Sequence, residues 1–175
     1  MVFEDPLGKS KAPLAFIPYI NGLTSKDFEN KSKINSLNFG GDVKVPVGNS
    51  LNLDLTLNPD FSQVEVDDQV VNLTRFEIRL PEKRQFFIQN SDLFTNYGDS
   101  RDGRPFFSRR IGVAKDSEGN NIQNKIIAGA RLSGKIDENW RIGFLHMATD
   151  EDIKNLIPSN NNTVFSLQKK IFSRS

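Results

Sequence analysis

Four carboxylates crowd between positions 60 and 68 of this chain: Asp60, Glu65, Asp67 and Asp68. No lysine or arginine stands between Lys44 and Arg75, so nothing nearby in sequence neutralises them. Hard cations take several oxygen ligands, which makes calcium the first chemistry to weigh. The spacing of a calcium loop and its glycine are both missing from this stretch. Paired carboxylates also perform acid/base catalysis, but sequence spacing does not distinguish a separation of about 5 Å from one of about 9 Å. No metal site, cofactor or catalytic residue is assigned here. The remaining use of such a cluster is a charged, salt-bridged surface.

The next run supplies the opposite sign. In NLTRFEIRLPEKRQFFIQN, Arg75, Arg79, Lys83 and Arg84 alternate with Glu77 and Glu82. A basic amphipathic segment binds lipid headgroups or nucleic acid. The interleaved glutamates oppose both uses, and a net charge of +1 gives no reason to expect a nucleic-acid partner. Charges shielded from water persist when they are paired and hydrogen-bonded. The acidic and basic halves are therefore expected to compensate each other. A further cluster, RPFFSRRIG, adds Arg109 and Arg110. Their forked guanidinium groups suit carboxylate or phosphate, and equally suit pinning a loop to a sheet. Together these residues form one charged network. Its expected hinge is Glu82 with Lys83 and Arg84, flanked by Pro81 and by the apolar Phe86-Phe87 pair.

Two other motifs carry little. GARLSGK, from Gly129 to Lys135, has the outline of a phosphate loop, but Ile136 stands where the magnesium-binding Ser or Thr belongs. His146 is the single histidine and the chain has no cysteine, which leaves triads and the common zinc sites without their ligands. His146 reads as structural, at a strand end.

The elements that would position these residues alternate with period two. Pro13 to Ile20 is the first, with its prolines limiting the ladder. Ile34 to Val47 and Leu51 to Leu57 form an expected hairpin around VGNS. Leu51, Leu53, Leu55 and Leu57 share one face and Asn52, Asp54 and Thr56 the other. Asn58-Pro59 then ends the strand. Val70, Leu73, Phe76 or Glu77, and Leu80 recur at helical spacing before Pro81, which predicts a short helix, although Phe76 to Leu80 reads equally as a short strand. Thr95 to Arg104 reads as a loop. Ile126 to Ile136 places Ile126, Ala128, Ala130, Leu132, Gly134 and Ile136 against Ile127, Gly129, Arg131, Ser133 and Lys135. Trp140 to Ala148 follows, then a polar loop over Thr149 to Asn162, then a last strand from Thr163 to Phe172.

No apolar run approaches a membrane-spanning helix. A barrel strand needs only about 9–11 residues of alternating character. From alternation alone, a soluble β-sandwich and a membrane barrel fit equally well, because any half-buried antiparallel strand alternates this way.

Specific motifs separate the two. Asn58-Pro59-Asp60-Phe61 with Gln63-Val64-Glu65 and Asp67, then Asn72-Leu73-Thr74-Arg75-Phe76-Glu77, then Pro81-Glu82-Lys83-Arg84 with Phe86-Phe87 and Asn90, then Phe106-Phe107 and Ser108 to Gly112, are similar to a family pattern. The chain resembles the large outer-membrane β-barrel domain of Bacteroidota described as a domain of unknown function, which often follows a family 9 carbohydrate-binding module. Gln89 stands where that family usually has Glu, and Phe107-Ser108 lacks an intervening Tyr.

The resemblance implies a mainly β fold of antiparallel strands forming part of a transmembrane β-barrel, an incomplete, open curved sheet. It implies a lead-in over 1–32, a first barrel hairpin over 33–58, a charged, plug-like insert over 59–112 and further strands over 113–175. A closed barrel takes at least about eight strands. With about five or six alternating segments, the chain is expected to be an N-terminal fragment of the barrel domain. The implied location is the outer membrane, with its lipid as a partner and glycans bound through an N-terminal module. The implied role is binding or handling of glycans at the cell envelope. A carbohydrate-active hydrolase and a soluble binding module stand as alternatives.

Overall fold

The computed structural model describes residues 13–26, 33–59, 82, 84–98, 103, 105–119 and 121–171. The expected helix between Val70 and Leu80 lies outside these residues. Six strands form one antiparallel sheet: β1 (Ala15–Lys26), β2 (Lys33–Val47), β3 (Leu51–Leu57), β6 (Ile126–Lys135), β7 (Trp140–Thr149) and β8 (Asn160–Lys169). Their spatial order is β1-β2-β3-β6-β7-β8, so each strand pairs with its sequence neighbour except where β3 meets β6. A large excursion leaves the sheet after β3 and returns at β6. It carries α1 (Gln85–Ile88), α2 (Asp92–Thr95), a 3₁₀ turn (Ser108–Arg110) and a small hairpin of β4 (Val113–Lys115) and β5 (Asn121–Gln123).

Register decides which residues share a face. Val45, Leu53, Leu132, Phe144 and Phe165 fall in one row across five strands. The next row holds Phe16, Val43, Leu55, Ala130, His146 and Thr163. This apolar face stays at the surface: Leu57, Phe165 and Phe39 are exposed by 64%, 64% and 60%. The opposite face, with Asp54, Thr56, Arg131, Ser133, Thr149 and Ser166, is buried. The core lies on that polar side, where Phe87, Leu93, Phe94 and Ile111 from the excursion meet Ile126, Leu145 and Met147. The usual arrangement of a half-buried sheet, apolar side inward, is reversed. The second sheet is a short hairpin within the excursion, so the described residues do not form a sandwich of two packed sheets.

Several expectations need correction. A register shift between Ile126 and Ala128 turns Ile126 into the core at 4% exposure and Ile127 outward. The two isoleucines therefore exchange the faces that strict alternation assigns. The polar loop is shorter than Thr149 to Asn162, because β7 runs through Thr149 and β8 begins at Asn160. β8 ends at Lys169, short of Phe172. β1 runs on to Lys26 and carries Pro18 at the sheet edge, where a missing donor is tolerated. His146 sits within β7, not at its end, and its Nδ1 lies 2.8 Å from Thr163 Oγ1.

Gly143 faces the excursion directly. A Cβ there would lie 3.0 Å from both the Leu93 Cβ and the Phe94 ring. Gly41, on the apolar face, would place its Cβ no closer than 3.6 Å to any neighbour. Gly143→Val should therefore overpack the wall by about 1–3 kcal/mol and expose residues 85–97 to protease. Gly41→Ala should leave protection unchanged in the same limited-proteolysis assay.

Candidate functional site: a charged seam between sheet and insert

Asp54 and Arg131 stand opposite each other in the β3–β6 register. Both are buried, and Arg131 is 1% exposed. Arg131 Nη2 donates to Asp54 Oδ2 at 2.5 Å and Nε donates to the same oxygen at 3.2 Å. Its other amine, Nη1, donates to the carbonyls of Phe86 and Gln89, the latter at 2.8 Å. These carbonyls belong to α1 and the turn that follows it. The guanidinium also lies 5.2 Å from the centre of the Phe86 ring. One side chain thus binds the wall and the insert together, with its donors turned to oxygens and its flat face to an aromatic ring.

Further contacts extend this seam. Asn90 Nδ2 donates to Ser133 Oγ at 3.0 Å. Asn90 itself holds φ at 52°, a left-handed kink that separates the two short helices. Arg141 of β7 grips Asp92 at the start of α2, at 2.5 and 3.2 Å. This hydrogen bond, helped by the Arg141 charge, holds the Asp92 carboxyl below the usual carboxylate range against an upward push from burial. Tyr97 Oη lies 2.9 Å from Ser166 Oγ and accepts from Gln168 Nε2 at 3.3 Å. The contacts run from the deep Asp54–Arg131 pair to the half-exposed Asp92–Arg141 pair.

A second clamp works within the insert. Glu82 accepts from Arg84 Nε and Nη2, each at 2.8 Å, and from Ser108 Oγ at 2.6 Å. Arg84 also donates to the carbonyls of Ser108 and Ile111 at 2.7 and 2.6 Å, and stacks 4.2 Å from the Phe87 ring centre. Burial pushes the Glu82 carboxyl up, but the Arg84 and Ser108 hydrogen bonds and the Arg84 charge outweigh it, so the net shift is downward. This clamp fastens the helical part of the insert to the 3₁₀ turn.

Of the predicted network, Glu82 and Arg84 are brought together. Arg109 and Arg110 lie on the 3₁₀ turn that closes on them. Asp60, Glu65, Asp67, Asp68, Arg75, Glu77, Arg79 and Lys83 lie outside the described residues. Sequence reasoning missed the wall's own anchors, Asp54, Arg131 and Arg141. A signal for the first two was present, since Asp54 and Arg131 are opposite charges on the polar faces of two alternating strands. Among the described residues, no group of three His, Asp or Glu side chains is placed to hold a metal ion. No helix among them is long and apolar enough to cross a membrane, which leaves strands that cross one untouched.

Removing one member of a buried pair leaves the other charged and unpaired, at a cost of about 3–5 kcal/mol. Asp54→Asn and Arg131→Met should each show that loss in unfolding midpoints. The double variant should recover a large part of it, which a double-mutant cycle measures.

The Glu82 clamp has a pH signature. Its folded-state pKa is lowered from 4.5, so its stabilisation is present above about pH 4.5 and is lost as pH falls through the lower folded value. Insert protection should therefore weaken on acidification below about pH 4.5. Glu82→Gln should remove about 1–3 kcal/mol at neutral pH and flatten that acid dependence in a proteolysis titration.

A family model described as "Domain of unknown function (DUF5916)" matches residues 11–170, a span that contains every strand of the sheet. No match to the chain is found among curated proteins or among solved structures.

Proposed function

The chain belongs to the family described as a domain of unknown function (DUF5916), and from that premise we propose that it is wall and insert of an outer-membrane β-barrel. In this reading the leucine-rich face meets lipid. The polar face lines the lumen, and the insert folds inward to narrow or plug it. The observation that carries the proposal is the reversed sheet, whose apolar face is exposed and whose polar face lies under the insert. Water would penalise that arrangement, because buried apolar area is the main source of folding free energy. A hydrocarbon solvent favours it, since polar groups must then turn inward and find partners there.

Strand geometry supports the same reading. β6, β7 and β8 are each 10 residues long, within the roughly 9–11 residues that span a bilayer. All pairings in the sheet are antiparallel, as in barrel walls. The pore is held shut on this side by the Arg131 anchor and, nearer solvent, by Asp92–Arg141. The role is controlled passage or retention of envelope material. Glycans enter the proposal through the family resemblance.

Leu55 and Asn52 separate lipid from lumen. Leu55 is on the exposed face, while Asn52 pairs with Ser133 on the polar one. Leu55→Arg should reduce membrane insertion by about 2–4 kcal/mol if it lies near the midplane, and Asn52→Arg by much less. Folding into lipid vesicles, followed by heat-modifiable gel mobility, measures both. Equal defects, or recovery of the unmodified whole protein in a soluble fraction, would overturn the barrel reading.

A further inference from the structure

The outward face of the sheet is not apolar from end to end, and the register shows where it stops on each strand. On β8 the exposed Leu167 and Phe165 give way to the polar Thr163 and Asn161 toward the β7–β8 connection. The row through Thr163 crosses β7 at His146, β2 at Val43 and β1 at Phe16. On β2 the outward face stays apolar well past Val43, through Gly41, Phe39 and Leu37, and turns polar at Asn35. On β1, Pro18, Ile20 and Gly22 follow Phe16, and the first polar outward residue is Thr24, which pairs with Asn35.

The border therefore runs obliquely. Between β8 and β1 it shifts eight residues along the strands, from the row of Phe16 to that of Thr24, over the five spacings of the six-stranded sheet. At about 3.3 Å per residue and about 4.8 Å per spacing, it moves about 26 Å along the strands for about 24 Å across them, a slope of about 45°. The outward apolar run on β2, Leu37 to Val47, covers about 33 Å along the strand and, at that slope, about 23 Å square to the border. Transmembrane barrel strands tilt by about 35–45° and carry an outward apolar band about 25 Å tall, so both the slope and the width match. At the tight-turn end, the outward face of β7 closes on Trp140, with Lys169 Nζ 5.1 Å from its ring centre. Tryptophan rings settle at the headgroup level, and lysine reaches from there to water.

We propose that the lipid-contacting surface is this oblique band, with strands tilted by about 45° to the membrane normal and one margin passing by Thr163 and His146 at one edge of the sheet and by Thr24 and Asn35 at the other. The proposal rests on the barrel reading and adds the placement of the bilayer on the wall. A border square to the strands would suit upright strands, whereas an oblique one suits the tilt that closing a sheet into a barrel demands. Two consequences follow. His146 and its partner Thr163 lie at headgroup level, where polar side chains meet water and not hydrocarbon. Asp54 and Arg131, each flanked by outward residues of the Leu53–Leu132 and Leu55–Ala130 rows, fall near the middle of the band. The buried pair that seats the insert is then at mid-membrane, and the insert narrows the lumen midway between its two mouths.

The test places bimane on single cysteines of the whole protein, folded into phosphatidylcholine vesicles whose acyl chains carry bromine either near the headgroup or near the chain end. This chain has no cysteine of its own to interfere. Val43→Cys, Leu55→Cys and Thr163→Cys share one row of the sheet, and Asn35→Cys lies eight residues from Val43 on the same strand. Val43 and Leu55, two separate reporters of the middle, should be quenched roughly twofold or more better by deep bromine than by shallow. Thr163 and Asn35 should both show the reverse preference, although they lie on different rows. Equal depths at Thr163 and Val43, or an Asn35 label as deep as that at Val43, would overturn the oblique band and leave the lipid face standing. Absence of quenching at both Val43 and Leu55 would mean that protein, such as a second copy of the chain, covers this face, and would overturn the barrel reading with it.

Discussion

Arg131 is the constraint around which the described structure is organised. It rises from the centre of the sheet's polar face, is closed off from solvent, and has donors that must all be used. Asp54 on the next strand neutralises it, and the carbonyls of Phe86 and Gln89 take what remains. A buried ion pair is weak as a source of net stability, because desolvation offsets most of the attraction. Its effect here is directional. A guanidinium that binds both β6 and the α1 turn permits one seating of the insert and leaves charges unpaired in others. The apolar contacts of Leu93 and Phe94 against Gly143 then fill the space that this seating defines.

Two tiers of contact follow from depth. The Asp54–Arg131 pair is nearly closed to water, so separating it exposes an uncompensated charge. The Asp92–Arg141 pair is partly open, with side chains 42% and 32% exposed, and solvent screening weakens it. Motion of the insert that begins at α2 would therefore be easier than motion that begins at α1. The Glu82–Arg84–Ser108 clamp ties the residues just before α1 to the 3₁₀ turn, which leads directly into the β4–β5 hairpin.

Much of the wall was legible in the amino-acid sequence alone. Period-two alternation located the β2–β3 hairpin and the strands beginning at Ile126 and Trp140, and it placed Leu53 and Asp54 on opposite faces. This works because side-chain direction in a strand is a local property of the backbone. The turn at Asn58-Pro59 was readable for the same reason, since it depends on two adjacent residues. Local rules also failed locally: one extra residue at the start of β6 reversed Ile126 and Ile127, and nothing in their identities announces a bulge. The association of Glu82 with Arg84 was foreseeable from their closeness in the chain.

Tertiary structure decided the rest. Asp54 and Arg131 are 77 residues apart, and their meeting depends on β3 pairing with β6 across the whole insert. The Arg141–Asp92 and Tyr97–Ser166 contacts likewise depend on how the insert returns to the wall. Alternation identified an apolar face and a polar face, but not which of them the core would occupy. That choice is made by where a remote segment packs, and the same strand pattern serves a sheet facing water or one facing lipid. The sequence determined the periodicity and the available charges; only the long-range fold brought those charges into pairs and put the leucines on the outside.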